Sequence, residues 1–139
     1  MPPSGLRQLA PLLLLAGVTV AAHGVGLGNG FVWDDKLIVV DNPDTRDMSQ
    51  LPKVALSPDE MKPYYRPLCR ASYLVDYQLY GLEPLGFHAE NLLLHVAGVL
   101  LLFALGLRLF QQRAPALLAA LLLAVHPVHV EAVAFISAR

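Results

Sequence analysis

Residues Asn91–Phe110 read NLLLHVAGVLLLFALGLRLF, with His95 near the start, Arg108 near the end and no other ionisable group. A helix rises about 1.5 Å per residue, so a run of this length matches the roughly 30 Å hydrocarbon core of a bilayer. It predicts a membrane-spanning helix. Upstream, Leu9–Gly28 form a second apolar run of comparable length, preceded by Arg7 and free of charge. Two readings of that segment stand: a first transmembrane helix or signal anchor, and a cleaved signal peptide whose small residues near Val20 and Ala22 suit a peptidase. Both put the chain after Gly28 outside the cytoplasm.

Downstream, Arg113 follows Arg108 in the connection Gln111-Gln112-Arg113-Ala114-Pro115. By the positive-inside rule Arg7, Arg108 and Arg113 share the cytoplasmic side, so the Asn91–Phe110 helix runs inward. Pro115 suits the first turn of a third helix, and Ala116–Val125 is wholly apolar but too short to span alone. Pro127 removes a backbone donor and predicts a break after Val125. The expected fold is thus an all-α membrane protein with about three transmembrane helices. Its divisions are residues 1–28 (first span), 29–87 (extracytoplasmic loop), 88–110 (second span) and 111–139 (third span and the outer segment His126-Pro127-Val128-His129-Val130-Glu131).

Composition agrees with this class. The chain of 139 residues is 55% hydrophobic and 15% charged, with a mean hydropathy of +0.51 and a net charge of -1. Soluble domains carry about 25% charged residues. The basic residues are scattered, which leaves no nucleic-acid footprint. Cys69 is the single cysteine, so neither an intrachain disulfide nor a CxxC site can form.

The loop from Asn29 to Phe87 is too long for a simple connector. Asp41-Asn42-Pro43-Asp44 and Ser57-Pro58-Asp59-Glu60 are turn and helix-start signals. Leu68, Ser72, Val75, Leu79 and Leu82 recur at helical spacing, with Arg70, Tyr73, Asp76, Tyr77 and Tyr80 on other faces. This predicts an amphipathic helix ended by Gly81, either lying along the membrane or packed as a cap on the spans.

Near the start of the same loop stands Phe31-Val32-Trp33-Asp34-Asp35-Lys36. Adjacent carboxylates repel each other in a low-dielectric site and need water, a cation or a substrate proton. Asp34 and Asp35 are therefore the candidate acid–base pair, with a solvated turn as the alternative. His88, Asn91 and His95 fall at i, i+3 and i+7, on one stripe of the second helix, where they serve either helix packing or a polar site. His126, His129 and Glu131 suit a divalent metal by residue type, but on a helix His129 and Glu131 stand about 200° apart, so a shared ion needs non-helical backbone. Arg66 and Arg139 offer planar donor forks for phosphate. No soluble-enzyme signature such as a phosphate loop, a GxSxG elbow or HExxH occurs.

Tyr64-Tyr65-Arg66-Pro67-Leu68, Asp76-Tyr77, Gly81, Pro84, Phe87-His88, Asn91, His95 and the run His126–Val133 together resemble the transmembrane and tetratricopeptide-repeat O-mannosyltransferases and their bacterial relatives. The resemblance runs from about Phe31 to Arg139. It implies a partial GT-C architecture and an enzyme that moves a sugar, commonly mannose, from a polyprenyl-phosphate carrier to an extracytoplasmic acceptor. Asp34 and Asp35 then correspond to the catalytic acidic pair. Arg66, His126, His129 and Arg139 become phosphate contacts, and His88, Asn91, His95 and Glu131 further substrate contacts. The implied partners are membrane lipid, the lipid-linked sugar and a protein acceptor.

Three spans and no tetratricopeptide repeat depart from the family pattern. The expectation is an amino-terminal part of such an enzyme, inactive alone, in a bacterial inner membrane or the endoplasmic reticulum. A scaffold or anchor whose further repeats bind partners is the alternative from another class.

Overall fold

The computed structural model describes residues 4–56 and 65–139, with side chains from Leu9 onward. The Ser57–Glu60 signal lies outside the described residues. Those described form helices and turns without a strand, and six of the helices are α: α1 (Ser4–His23), α2 (Leu51–Leu56), α3 (Pro67–Tyr80), α4 (Pro84–Phe110), α5 (Arg113–Val125) and α6 (His129–Ala134).

The Leu9–Gly28 run becomes the body of α1 and a single 3₁₀ turn at Gly24–Gly28. Pro11 sits inside α1, a position tolerated in membrane helices, where neighbouring helices and local adjustments satisfy the freed carbonyl. α4 begins earlier than residue 88, because Pro84 takes its first turn, where a missing N–H costs no bond. Its 27 residues extend about 40 Å, so one end projects beyond a bilayer core of roughly 30 Å. Gln111, in the left-handed region at φ 53°, closes α4 by donating its N–H to the Leu107 carbonyl.

Among the described residues two helices are long and apolar enough to cross a membrane, Leu9–Gly28 and Pro84–Phe110, while the 13-residue α5 falls short of a span. The expected break is present: α5 ends at Val125, His126 is extended with ψ 127°, and α6 starts at His129.

α1, α4 and α5 enclose one core of Leu15, Val99, Phe103, Ala116, Ala120 and Ala124. The three alanines repeat every fourth residue and are fully buried, a small-residue stripe that lets helix backbones approach. α4 meets it with Gly106, where an added Cβ would lie 3.0 Å from the Ala116 Cβ and 3.1 Å from its Cα. Outward, the same helices expose Leu13 (70%), Leu93 (67%), Leu101 (69%) and Leu122 (65%). A helix bundle in water would bury such residues, whereas lipid solvates them. The chain is a membrane protein.

A second core of Val39, Tyr73, Phe87 and Ile136 binds the loop, α3, the start of α4 and the last residues together. Phe31 packs edge-on to Phe87 at 5.4 Å. The Asp41–Asp44 signal also forms a turn: the Asn42 side chain accepts the Asp44 N–H, and the Thr45 hydroxyl donates to the Val39 carbonyl.

Candidate functional site

The acidic pair divides between two environments. Asp35 is fully buried, and each of its carboxylate oxygens is bonded: Oδ2 accepts the Val32 N–H at 3.2 Å, and Oδ1 accepts the Ser137 N–H at 2.8 Å. Two backbone donors satisfy the charge and tie the loop to a segment a hundred residues away. Trp33, two residues before it, adopts φ 48°, an uncommon conformation for a bulky residue. Asp34, between them, is partly exposed and lines a cavity of about 450 Å³. Adjacent carboxylates thus avoid sharing one low-dielectric site.

Besides the loop with Trp33, Asp34 and Ile38, three elements build that cavity. Arg66, Cys69, Arg70 and Tyr73 come from α3 and the residue preceding it, Glu131 from α6, and Ser137 from the closing segment. Two carboxylates and two guanidinium groups therefore line one opening. Arg70 is anchored outward, donating to the Val54 carbonyl at 3.5 Å and lying 3.8 Å from Asp44 Oδ2. The Tyr73 hydroxyl donates to the Ile136 carbonyl at 3.1 Å, and burial pushes its pKa up, so it stays a neutral donor. Such a site can take a proton at Asp34 or Glu131 and balance an anion with Arg66.

Arg139 lies elsewhere. Its guanidinium pairs with Asp76 Oδ2 at 2.8 Å and Glu90 Oε1 at 3.1 Å. It also donates to Asn91 Oδ1 at 2.7 Å, Ser72 Oγ at 2.9 Å and the Phe87 carbonyl at 3.2 Å. With its donors engaged and its side chain 6% exposed, Arg139 holds α3 to α4 in this arrangement. Burial and the neighbouring Glu90 carboxyl push the Asp76 pKa up to about 7 against the pull of Arg139.

The stripe of His88, Asn91 and His95 does not face one partner. Asn91 donates to the Phe135 carbonyl at 2.9 Å as well as accepting from Arg139. His88 is buried with the Asp35 carboxylate and the Asn29–Gly30 backbone alongside, and its ring nitrogens make no hydrogen bond of normal geometry. His95 turns to other imidazoles, 4.9 Å from His23 and 5.2 Å from His129 between ring centroids. With Asn91 and Arg139 it lines a smaller cavity of about 200 Å³.

The rings of His126 and His129 lie 6.1 Å apart, and Val128 donates its N–H to His126 Nδ1. Because α6 is helical from His129, Glu131 diverges from it and lines the larger cavity with Asp34. His126, His129 and Glu131 therefore do not converge on one ion in this arrangement. Among the described residues no group of three or more His, Cys, Asp or Glu side chains could hold a metal.

Arg70, Tyr73 and Ser137 line the cavity, and Asp76 and Glu90 hold Arg139, yet none of the five is a candidate from sequence. The signal for three of them is present: Arg70, Tyr73 and Asp76 share the side of α3 away from Leu68 and Leu79, and that side, which also carries Leu74, is buried. Ser137 contributes a backbone N–H, which no side-chain pattern reveals.

The chain is 36% identical to the protein O-mannosyl-transferase TMTC1 of Mus musculus over 148 residues, covering 99% of the chain and 16% of that protein. Against the protein O-mannosyl-transferase TMTC3 of Homo sapiens the identity is 32%, over 95% of the chain and 15% of the relative. The protein O-mannosyl-transferase F38B6.6 of Caenorhabditis elegans is 32% identical over 97% of the chain and 21% of its own length. The chain thus spans about a sixth to a fifth of these curated relatives. No family model and no solved structure matches it.

Proposed function

We propose that this chain, a TMTC-like O-mannosyltransferase sequence, supplies the acid–base end of a GT-C transfer site in which Asp34 is the catalytic base and Asp35 its positioning residue. The observation that carries the reading is the division of the pair. Asp34 reaches a cavity with Arg66 and Glu131, while Asp35 is buried on two backbone N–H groups.

In the proposed step a hydroxyl of an extracytoplasmic protein acceptor gives its proton to Asp34 as its oxygen bonds to the anomeric carbon of mannose. The bond from that carbon to the phosphate oxygen breaks, with inversion, and the electron pair leaves on the polyprenyl phosphate. A base at the acceptor and a cation at the leaving group are the two needs of a transition state with oxocarbenium character. Arg66 is the assigned cation, and Glu131 orients the acceptor. His126 and His129 stay proposed contacts of the carrier at the rim. His88, Asn91, His95 and Arg139 are reassigned to holding the helices around the site.

The test is mannose transfer by the full-length protein carrying single substitutions. Asp34→Asn is expected to lower kcat by about 10² to 10⁴-fold, the usual worth of general-base assistance, with little change in thermal stability. Asp35→Asn is expected to lower stability and activity together, because its amide turns an N–H toward a backbone N–H. Parental transfer by Asp34→Asn would remove Asp34 from the role.

A further inference from the structure

Residues 135–139 supply one wall of the larger cavity, through Phe135, Ser137 and Ala138, and side chains of other elements hold their backbone. The Phe135 carbonyl accepts from the Asn91 amide at 2.9 Å, and the Ile136 carbonyl accepts from the Tyr73 hydroxyl at 3.1 Å. The Cys69 thiol donates to the Arg139 carbonyl at 3.0 Å. Ile136–Ala138 form a single 3₁₀ turn, too short to fix its own place. Its position is set from outside.

The Arg139 side chain organises two of those holders. Its Nε donates to Asn91 Oδ1 at 2.7 Å, which fixes the amide so that its NH₂ faces the Phe135 carbonyl. Its guanidinium lies over the Tyr73 ring at 5.2 Å, and Tyr73 is the donor to Ile136. The turn in turn supplies a donor to the acidic pair: the Ser137 N–H reaches Asp35 Oδ1 at 2.8 Å. The other oxygen of Asp35 takes the Val32 N–H, a bond between near neighbours that moves with the loop. The Ser137 bond instead fixes the pair against the cavity wall.

We propose that Arg139 is a positioning residue for the transfer reaction, acting through the Ile136–Ala138 turn and the Ser137–Asp35 hydrogen bond to set where Asp34 stands in the cavity. Arg139 is absent from the lining of that cavity, and its side chain is 6% exposed, so it acts through other groups. The inference rests on the reading of Asp34 as base. Displacing a reacting group by about 1 Å costs up to about 10²-fold in rate, which is the scale of effect this arrangement controls.

The test is mannose transfer by the full-length protein carrying Arg139→Lys, Asp34→Asn or both. Lysine keeps a cation beside Asp76 and Glu90, so no buried acid loses its counter-charge, but an ammonium cannot reproduce the planar fork that reaches Asn91 and covers Tyr73. Arg139→Lys is expected to lower kcat by about 10- to 10²-fold with KM unchanged. In the Asp34→Asn background the same substitution is expected to change the residual rate by less than about twofold, because the group it positions is already gone. Equal losses in the two backgrounds overturn the proposal and leave Asp34 as base, since a merely structural role lowers both rates alike. Parental transfer by Arg139→Lys overturns it too. Parental transfer by Asp34→Asn overturns the reading of Asp34 and this inference with it. Tyr73→Phe, which removes one hydroxyl from the same turn, gives the same comparison should Arg139→Lys not fold: a loss of kcat confined to the Asp34 background is expected, and equal losses overturn the proposal.

Discussion

Asp34 and Asp35 are chemically identical and adjacent, and they differ in which groups reach them. The Ser137 N–H, brought back across the fold, claims one oxygen of Asp35, whereas Asp34 keeps access to the cavity. A third carboxyl, Asp76, sets a pH dependence of its own. Its folded pKa of about 7 lies above the ordinary 3.8, so the native state binds this proton more tightly than the unfolded chain. Stability from this group is fully present below about pH 4 and is lost as pH rises through 7. We expect thermal melts of the wild-type chain to show that decline and Asp76→Asn to flatten it while Arg139 keeps Glu90. A decline of equal size in Asp76→Asn would assign the effect to another group.

Elements obey the patterns that local chemistry dictates, and their partnerships add constraints that periodicity does not carry. The extent of α4 and the break before Pro127 follow from apolar length and from the missing proline N–H. The burial of Gly106 depends on α5 arriving with Ala116, and no feature of α4 alone announces it. Gly106→Val is therefore expected to cost about 1–3 kcal/mol by forcing α4 from α5, read as a lower midpoint in detergent unfolding. Removing the Ala116 Cβ should recover part of that loss, so Gly106→Val with Ala116→Gly should destabilise by less than the two single changes summed. Additivity would show that the glycine is not a contact point. α3 shows the limit of pattern reading: the apolar periodicity locates the helix, while the side turned inward carries Arg70, Tyr73 and Asp76 beside Leu74.

Across the whole molecule, we propose that Arg7, Arg108 and Arg113 share one side of the membrane and that the loop with Asp34 lies opposite them. In a Cys69→Ser background, Ser49→Cys and Gln112→Cys place a thiol at an exposed position in the loop and in the α4–α5 connection, respectively. An impermeant maleimide added to intact cells is expected to label Ser49→Cys and spare Gln112→Cys. The opposite pattern would invert the topology and remove the extracytoplasmic acceptor.

Sequence by itself determined the helical membrane class, the two apolar runs long enough to span, the short apolar third helix and the break before Pro127. Each of these depends on residues within a few turns of one another, through apolar length, backbone donors or charge. Only the tertiary structure decided which carboxylate lines the cavity, that Glu131 joins it while His129 turns to His95, and that Arg139 is held by Asp76, Glu90 and Asn91. Those outcomes rest on contacts between residues tens of positions apart, where burial and competition for hydrogen-bond partners set the result. One-dimensional spacing carries no record of them.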